Sequence, residues 1–63
     1  MKIIAKDILD RLAKEGFVET RVKGDHHRFE DGHGHKVSVP YARVKDTISP
    51  TTYRFIKLQA GWK

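Results

Sequence analysis

Four histidines, His26, His27, His33 and His35, fall within ten residues of a chain that has no cysteine. Among unperturbed side chains, histidine titrates nearest physiological pH, so it can take up and release a proton during a reaction. The first of the four lies in Gly24-Asp25-His26-His27-Arg28-Phe29, and Arg21 and Lys23 come just before that segment. Lys and Arg attract a phosphodiester backbone. A base set among cations suits one chemistry in particular. RNA carries a 2′-hydroxyl beside each phosphate, and removal of its proton lets that oxygen attack the adjacent phosphorus. The strand is then cut without a metal. A neutral imidazole is a competent base for the step. Nearby cations stabilise the charge that builds on the phosphorane-like transition state.

A cluster of histidines also raises the question of zinc. His26 and His27 are adjacent in a strand, so they point to opposite faces and cannot share an ion. His33 and His35 flank a Gly-rich turn. A tetrahedral site needs four ligands, or three and a water, and no cysteine or suitably spaced carboxylate completes one. No metal and no cofactor are expected. His33 and His35 read as turn and edge residues, and His27 as a packing residue.

These side chains must be positioned by a small frame. Residues 5–15 predict a helix, with Ala5, Ile8, Leu9 and Leu12 at helical spacing and Gly16 as its stop. Phe17 to Lys23 alternates and is rich in β-branched residues, which predicts a strand. Gly24-Asp25 marks a turn, and His26 to Glu30 a second strand. Asp31-Gly32-His33-Gly34 marks another turn, and His35 to Val39 a third strand that Pro40 ends. Residues 41–48 read as a connecting loop. Ser49 suits a helix N-cap and Pro50 the first helical position, so a helix is expected to about Ala60, stopped by Gly61. Trp62 can fold back on the helix end as the apolar residue of the cap. The order is α-β-β-β-α, an α+β domain over residues 1–63. It has a three-stranded antiparallel sheet with both helices on one face, leaving the other open.

The turns set the register. A two-residue Gly24-Asp25 loop pairs Lys23 with His26, Val22 with His27, Arg21 with Arg28 and Thr20 with Phe29. A three-residue Gly32-His33-Gly34 loop pairs Glu30 with Lys36, Phe29 with Val37 and His27 with Val39. A two-residue second loop would put Val37 and Val39 beside His26 and Arg28, leaving a poorer core. Alternation then assigns Val18, Thr20, Val22, His27, Phe29, Val37 and Val39 to the packed face. The open face receives Glu19, Arg21, Lys23, His26, Arg28, Glu30, Lys36 and Ser38. Arg21 directly opposite Arg28 is unfavourable for folding. Either both splay into water or an anionic ligand lies between them.

Composition sets the outer bounds. The 63 residues carry 13 Lys and Arg against 8 Asp and Glu, a net charge of +5. A chain this short buries only about 60% of its unfolded surface, so its stability is modest. No apolar run is long enough to span a membrane, and the N-terminus lacks a signal peptide's apolar segment. A cytoplasmic protein is expected.

The chain also resembles a known family. Its elements and motifs are similar to those of the HicA toxins of bacterial HicAB toxin–antitoxin systems. The resemblance covers nearly the whole chain. It rests on Lys14-Glu15-Gly16-Phe17 at the end of the first helix, on Gly24-Asp25-His26-His27-Arg28-Phe29, on Val37-Ser38-Val39-Pro40, and on Lys57-Leu58-Gln59-Ala60-Gly61 followed by a large apolar residue. It implies a double-stranded-RNA-binding-domain-like fold and an mRNA interferase, a metal-independent endoribonuclease. It makes His26 the catalytic histidine, here preceded by Asp25 where the family usually has serine. It also implies a HicB-type antitoxin that covers the site, with any DNA contact belonging to that partner. On this reading His26 is general base or acid, Lys23, Arg21, Arg28 and Lys36 contact RNA, and Tyr41 or Lys36 is the candidate second group. The alternatives are a non-catalytic RNA-binding module of the same fold and a small protein whose basic face only docks an acidic partner.

Overall fold

Both helices end by the same local device. In the computed structural model, which describes residues 2–62, the first helix is α1, Ala5–Lys14. Gly16 then turns the chain at φ 88°, a conformation glycine adopts without a Cβ penalty. The Gly16 N–H donates to the Ala13 carbonyl at 3.1 Å and the Phe17 N–H to the Leu12 carbonyl at 2.9 Å. This pair of bonds is a Schellman closure, with Phe17 as its apolar residue. The last helix, Pro50–Ala60, repeats it: Gly61 has φ 75° and the Trp62 N–H donates to the Lys57 carbonyl at 2.8 Å. Phe17 and Trp62 are both buried. The Trp62 indole N–H also donates to Glu15 Oε1 at 2.8 Å, and the Arg11 guanidinium lies 4.0 Å over its ring. The C-terminal ends of the two helices are thereby fastened together.

The strands are β1 (Ile3–Ile4), β2 (Val18–Lys23), β3 (His26–Glu30), β4 (Lys36–Pro40) and β5 (Thr47–Ile48), and the last helix is α2. β2, β3 and β4 form an antiparallel sheet in that order. Phe29, Val37 and Val39 from this sheet join Ala5, Ile8 and Leu12 of α1 and Ile56 and Ala60 of α2 in one core. Both helices therefore lie on one face. The α-β-β-β-α order and the α+β class are as the sequence predicts. Among the described residues, no helix is long and apolar enough to cross a membrane.

The register matches expectation over most of the sheet. β3 and β4 pair His27 with Val39, Arg28 with Ser38, Phe29 with Val37 and Glu30 with Lys36, across the three-residue loop. Asp31 organises that loop, its Oδ1 accepting from the N–H groups of His33 and His35 at 2.7 and 3.1 Å. β2 pairs Lys23 with His26, Val22 with His27 and Arg21 with Arg28, and then slips. Glu19, not Thr20, lies opposite Phe29, because Thr20 is the extra residue of a bulge. A bulge inserts one residue and exchanges the faces beyond it. Glu19 therefore joins the face of His27, while Val18 and Thr20 leave it. Val18 is exposed, and Thr20 Oγ1 donates to Glu30 Oε2 at 2.9 Å on the open side.

Residues 41–48 are more than a loop. Ile3 pairs with Ile48 and Ile4 with Thr47 as a small second sheet. Ahead of β5, Asp46 Oδ2 accepts from the N–H groups of Ala42 and Arg43 at 3.0 and 2.9 Å. The folded segment then supplies the carbonyls of Asp46 and Val44 to the N–H groups of Ala5 and Lys6, at 2.9 and 2.7 Å. These bonds satisfy two of the free donors at the start of α1, which has no side-chain cap,.

Candidate active site

The open face of the sheet carries a cleft of about 290 Å³ lined by Arg21, Lys23, His26, Arg28 and Ser38. Each of the three strands contributes: β2 supplies Arg21 and Lys23, β3 His26 and Arg28, and β4 Ser38. Lys23 faces His26, and Arg28 lies between Arg21 on one side and Ser38 on the other. The shared face follows from the two-residue turn at Gly24-Asp25. Gly24 alone takes a positive φ, 60°, the glycine-first pattern of a type II′ hairpin turn. The turn is pinned from below, because the Tyr41 N–H donates to the Asp25 carbonyl at 2.8 Å. His26 therefore projects from a fixed strand end, with its side chain exposed.

Among the described residues, two cations, both on α1, form ion pairs with carboxylates. Lys6 and Arg11 on α1 are neutralised by Asp10 and Glu15, at 2.9 and 2.8 Å. Hydrogen bonds donated to these acids hold the Lys6 and Arg11 side chains above their ordinary pKa values, and the bond from Arg11 holds the Glu15 carboxyl below its own. Among the described residues, Arg21, Lys23 and Arg28 have no such carboxylate within 4 Å. The nearest acid along β3 is Glu30, which Thr20 already engages. Three cations are thus gathered around one imidazole, with Arg21 and Arg28 directly opposed, an arrangement whose like-charge repulsion an anion between them would relieve,.

The neighbouring histidine has a different environment. His27 lies on the packed face, stacked on Tyr41 at 3.8 Å between ring centroids and 12° between planes. Its Nδ1 is 3.0 Å from Glu19 Oε2 and its Nε2 is 3.1 Å from the Tyr41 carbonyl oxygen. The ring is locked between β2 and the exit of β4. Tyr41 faces His27 rather than His26 and does not line the cleft; burial, and then the charge of Glu19, push its hydroxyl pKa up. His35 packs over Gly61 and approaches Asp31 Oδ2 at 2.6 Å. Among the described residues, no three His, Asp or Glu side chains converge on a position that could hold a metal.

Of the expected site residues, the structure gathers His26, Lys23, Arg21 and Arg28. It sets Lys36 apart, opposite Glu30 at the other end of β3 from His26, about 13 Å away at strand spacing. Ser38 also lines the cleft, although its sequence position marks it only as one of several open-face residues. Its alternation with Val37 and Val39 indicates the face, but only the pairing with Arg28 puts it in the cleft.

A family model described as the HicA toxin of bacterial toxin–antitoxin matches residues 5–62. No curated protein and no solved structure matches the chain.

Proposed function

The chain belongs to the HicA toxin family, and on that premise we propose that it is a metal-independent endoribonuclease acting on mRNA, with His26 as general base. The neutral imidazole takes the proton of a 2′-hydroxyl. The freed oxygen attacks the adjacent phosphorus, and the bond to the 5′-oxygen of the next nucleotide breaks. A proton returns to that 5′-oxygen, leaving a 2′,3′-cyclic phosphate on one fragment and a 5′-hydroxyl on the other. Arg21, Lys23 and Arg28 bind the phosphate and stabilise its extra charge in the transition state. Lys36, farther along the sheet, holds a more distant phosphate of the strand. Family membership implies a HicB antitoxin as partner. We infer that this partner places acidic side chains over the cleft.

The observation that supports this reading best is the cleft itself: one exposed histidine among three cations that have no acidic partner among the described residues. The test is incubation of purified protein with end-labelled single-stranded RNA in excess EDTA. Wild type should cut and His26→Ala should not, while both give the same circular dichroism spectrum. Binding without any product would make the chain an RNA-binding module. Cleavage that EDTA abolishes and a divalent metal restores would replace the imidazole mechanism with a metal one.

A further inference from the structure

Four of the five side chains lining the cleft are cations or an imidazole, and the fifth is Ser38. Arg and Lys side chains only donate hydrogen bonds. The accepting nitrogen of His26 is committed to the 2′-hydroxyl that it deprotonates. Ser38 Oγ, a donor that also accepts, is therefore the one further side-chain acceptor in the cleft. Ser38 is half-buried, directly across from Arg28. Its backbone is fastened from outside the sheet, the Ser38 N–H donating to Gln59 Oε1 of α2 at 3.0 Å. Among the described residues its hydroxyl has no hydrogen-bond partner, and no buried side-chain polar atom is left unpaired, so Oγ stays open to the cleft. Its position, its firm backbone and its free hydroxyl make it available to a ligand.

Phosphate contacts cannot tell RNA from DNA, because both strands carry phosphate. The group that differs is the 2′-hydroxyl, itself a donor and an acceptor. We propose that Ser38 reads the ribose: its Oγ accepts a hydrogen bond from the 2′-hydroxyl of a nucleotide beside the one being cut, so the cleft prefers RNA at the binding step. The inference rests on the reading of this cleft as a nucleic-acid site. His26 pairs with Pro40, which puts Ser38 on its diagonal, roughly 7 Å away. That separation suits a neighbouring nucleotide better than the ribose under attack.

The test measures binding rather than cutting. His26→Ala protein, with its fold checked by circular dichroism, keeps the RNA intact. Fluorescence anisotropy then gives its affinity for one single-stranded sequence made as RNA and as DNA. One hydrogen bond should give a preference for RNA of roughly twofold to twelvefold. Adding Ser38→Ala should bring the ratio close to one by weakening RNA binding and leaving DNA binding unchanged. Adding Ser38→Thr, which keeps the hydroxyl, should restore the preference. Equal binding of RNA and DNA by the parent would overturn the proposal. So would an unchanged ratio in the alanine variant, or equal weakening of both strands. If neither strand binds, the nucleic-acid reading of the cleft fails and this inference fails with it.

Discussion

Replacing each of the two adjacent histidines by alanine should produce opposite phenotypes. The His27 side chain is only 16% exposed. His27→Ala removes the stack on Tyr41 at 3.8 Å and the contacts to Glu19 and the Tyr41 carbonyl at 3.0 and 3.1 Å. An aromatic stack contributes about 0.5–1.5 kcal/mol beyond its burial, and each hydrogen bond about 0.5–1.5 kcal/mol net. Glu19 is partly exposed and re-solvates easily, which favours the lower half of the range, about 1.5–3 kcal/mol in all. A domain of this length has a total stability of roughly 3–9 kcal/mol. The melting temperature should therefore fall by about 10–20 °C. His26→Ala removes an exposed ring on the open face and should change stability by no more than about 0.5 kcal/mol. Thermal unfolding by circular dichroism measures both. RNA cleavage at a temperature where both variants are folded separates stability from chemistry: His27→Ala should cut and His26→Ala should not. A His27→Ala protein that melts with the wild type, or a His26→Ala protein that melts below it, would refute the assignment of the two faces.

Arg21→Ala and Arg28→Ala should each weaken RNA binding and reduce its salt dependence by roughly one phosphate contact; their thermal stability should hold or rise slightly, because each removes half of a like-charge pair. The backbone N–H groups of Arg43 and Ala42 hold the Asp46 carboxyl below the ordinary aspartate range. A depressed pKa stabilises the fold above the unfolded value, near 3.9, and that contribution is lost as pH falls through the folded value. The melting temperature of wild type should accordingly exceed that of Asp46→Asn at neutral pH, with the gap closing below about pH 4; a gap that widens in acid would contradict the assigned sign. Hydrogen exchange with and without the antitoxin should show new protection at Lys23, His26 and Arg28 and a general rise in stability, because the partner binds only the folded state. Protection confined to the helices, with RNA still cut, would rule out occlusion of the cleft.

Much of the frame was legible because glycines and a proline mark its corners. Gly16 and Gly61 end the helices, Ser49-Pro50 starts the second, and the Gly24 and Gly32–Gly34 turns fix the register that brings Arg21, His26 and Arg28 together. The bulge at Thr20 was not legible. Threonine fits either face of a strand, and the contact that Glu19 makes with His27 once it has changed face joins residues on two different strands. The two-residue pairing of Ile3–Ile4 with Thr47–Ile48 was invisible for another reason. Such short strands carry no periodicity, and their order comes from bonds between Asp46, Val44 and the start of α1. Lys36 shares the open face by alternation, but alternation gives no position along the strand. The turn lengths give that position: they pair Lys36 with Glu30, as observed, which already puts it at the far end of β3 from His26.

In the proposed reaction the attacking oxygen belongs to the RNA and an imidazole takes its proton. The most direct measurement places a single 2′-deoxy nucleotide immediately 5′ of a mapped cut in an otherwise unmodified RNA, and identifies the end groups of the unmodified products. The substitution should block cutting at that position alone, and the unmodified RNA should yield 2′,3′-cyclic phosphate or 3′-phosphate ends with 5′-hydroxyl partners. Unchanged cutting of the 2′-deoxy substrate, with 3′-hydroxyl and 5′-phosphate ends, would show that water or another external nucleophile attacks the phosphorus and would contradict the role given to His26.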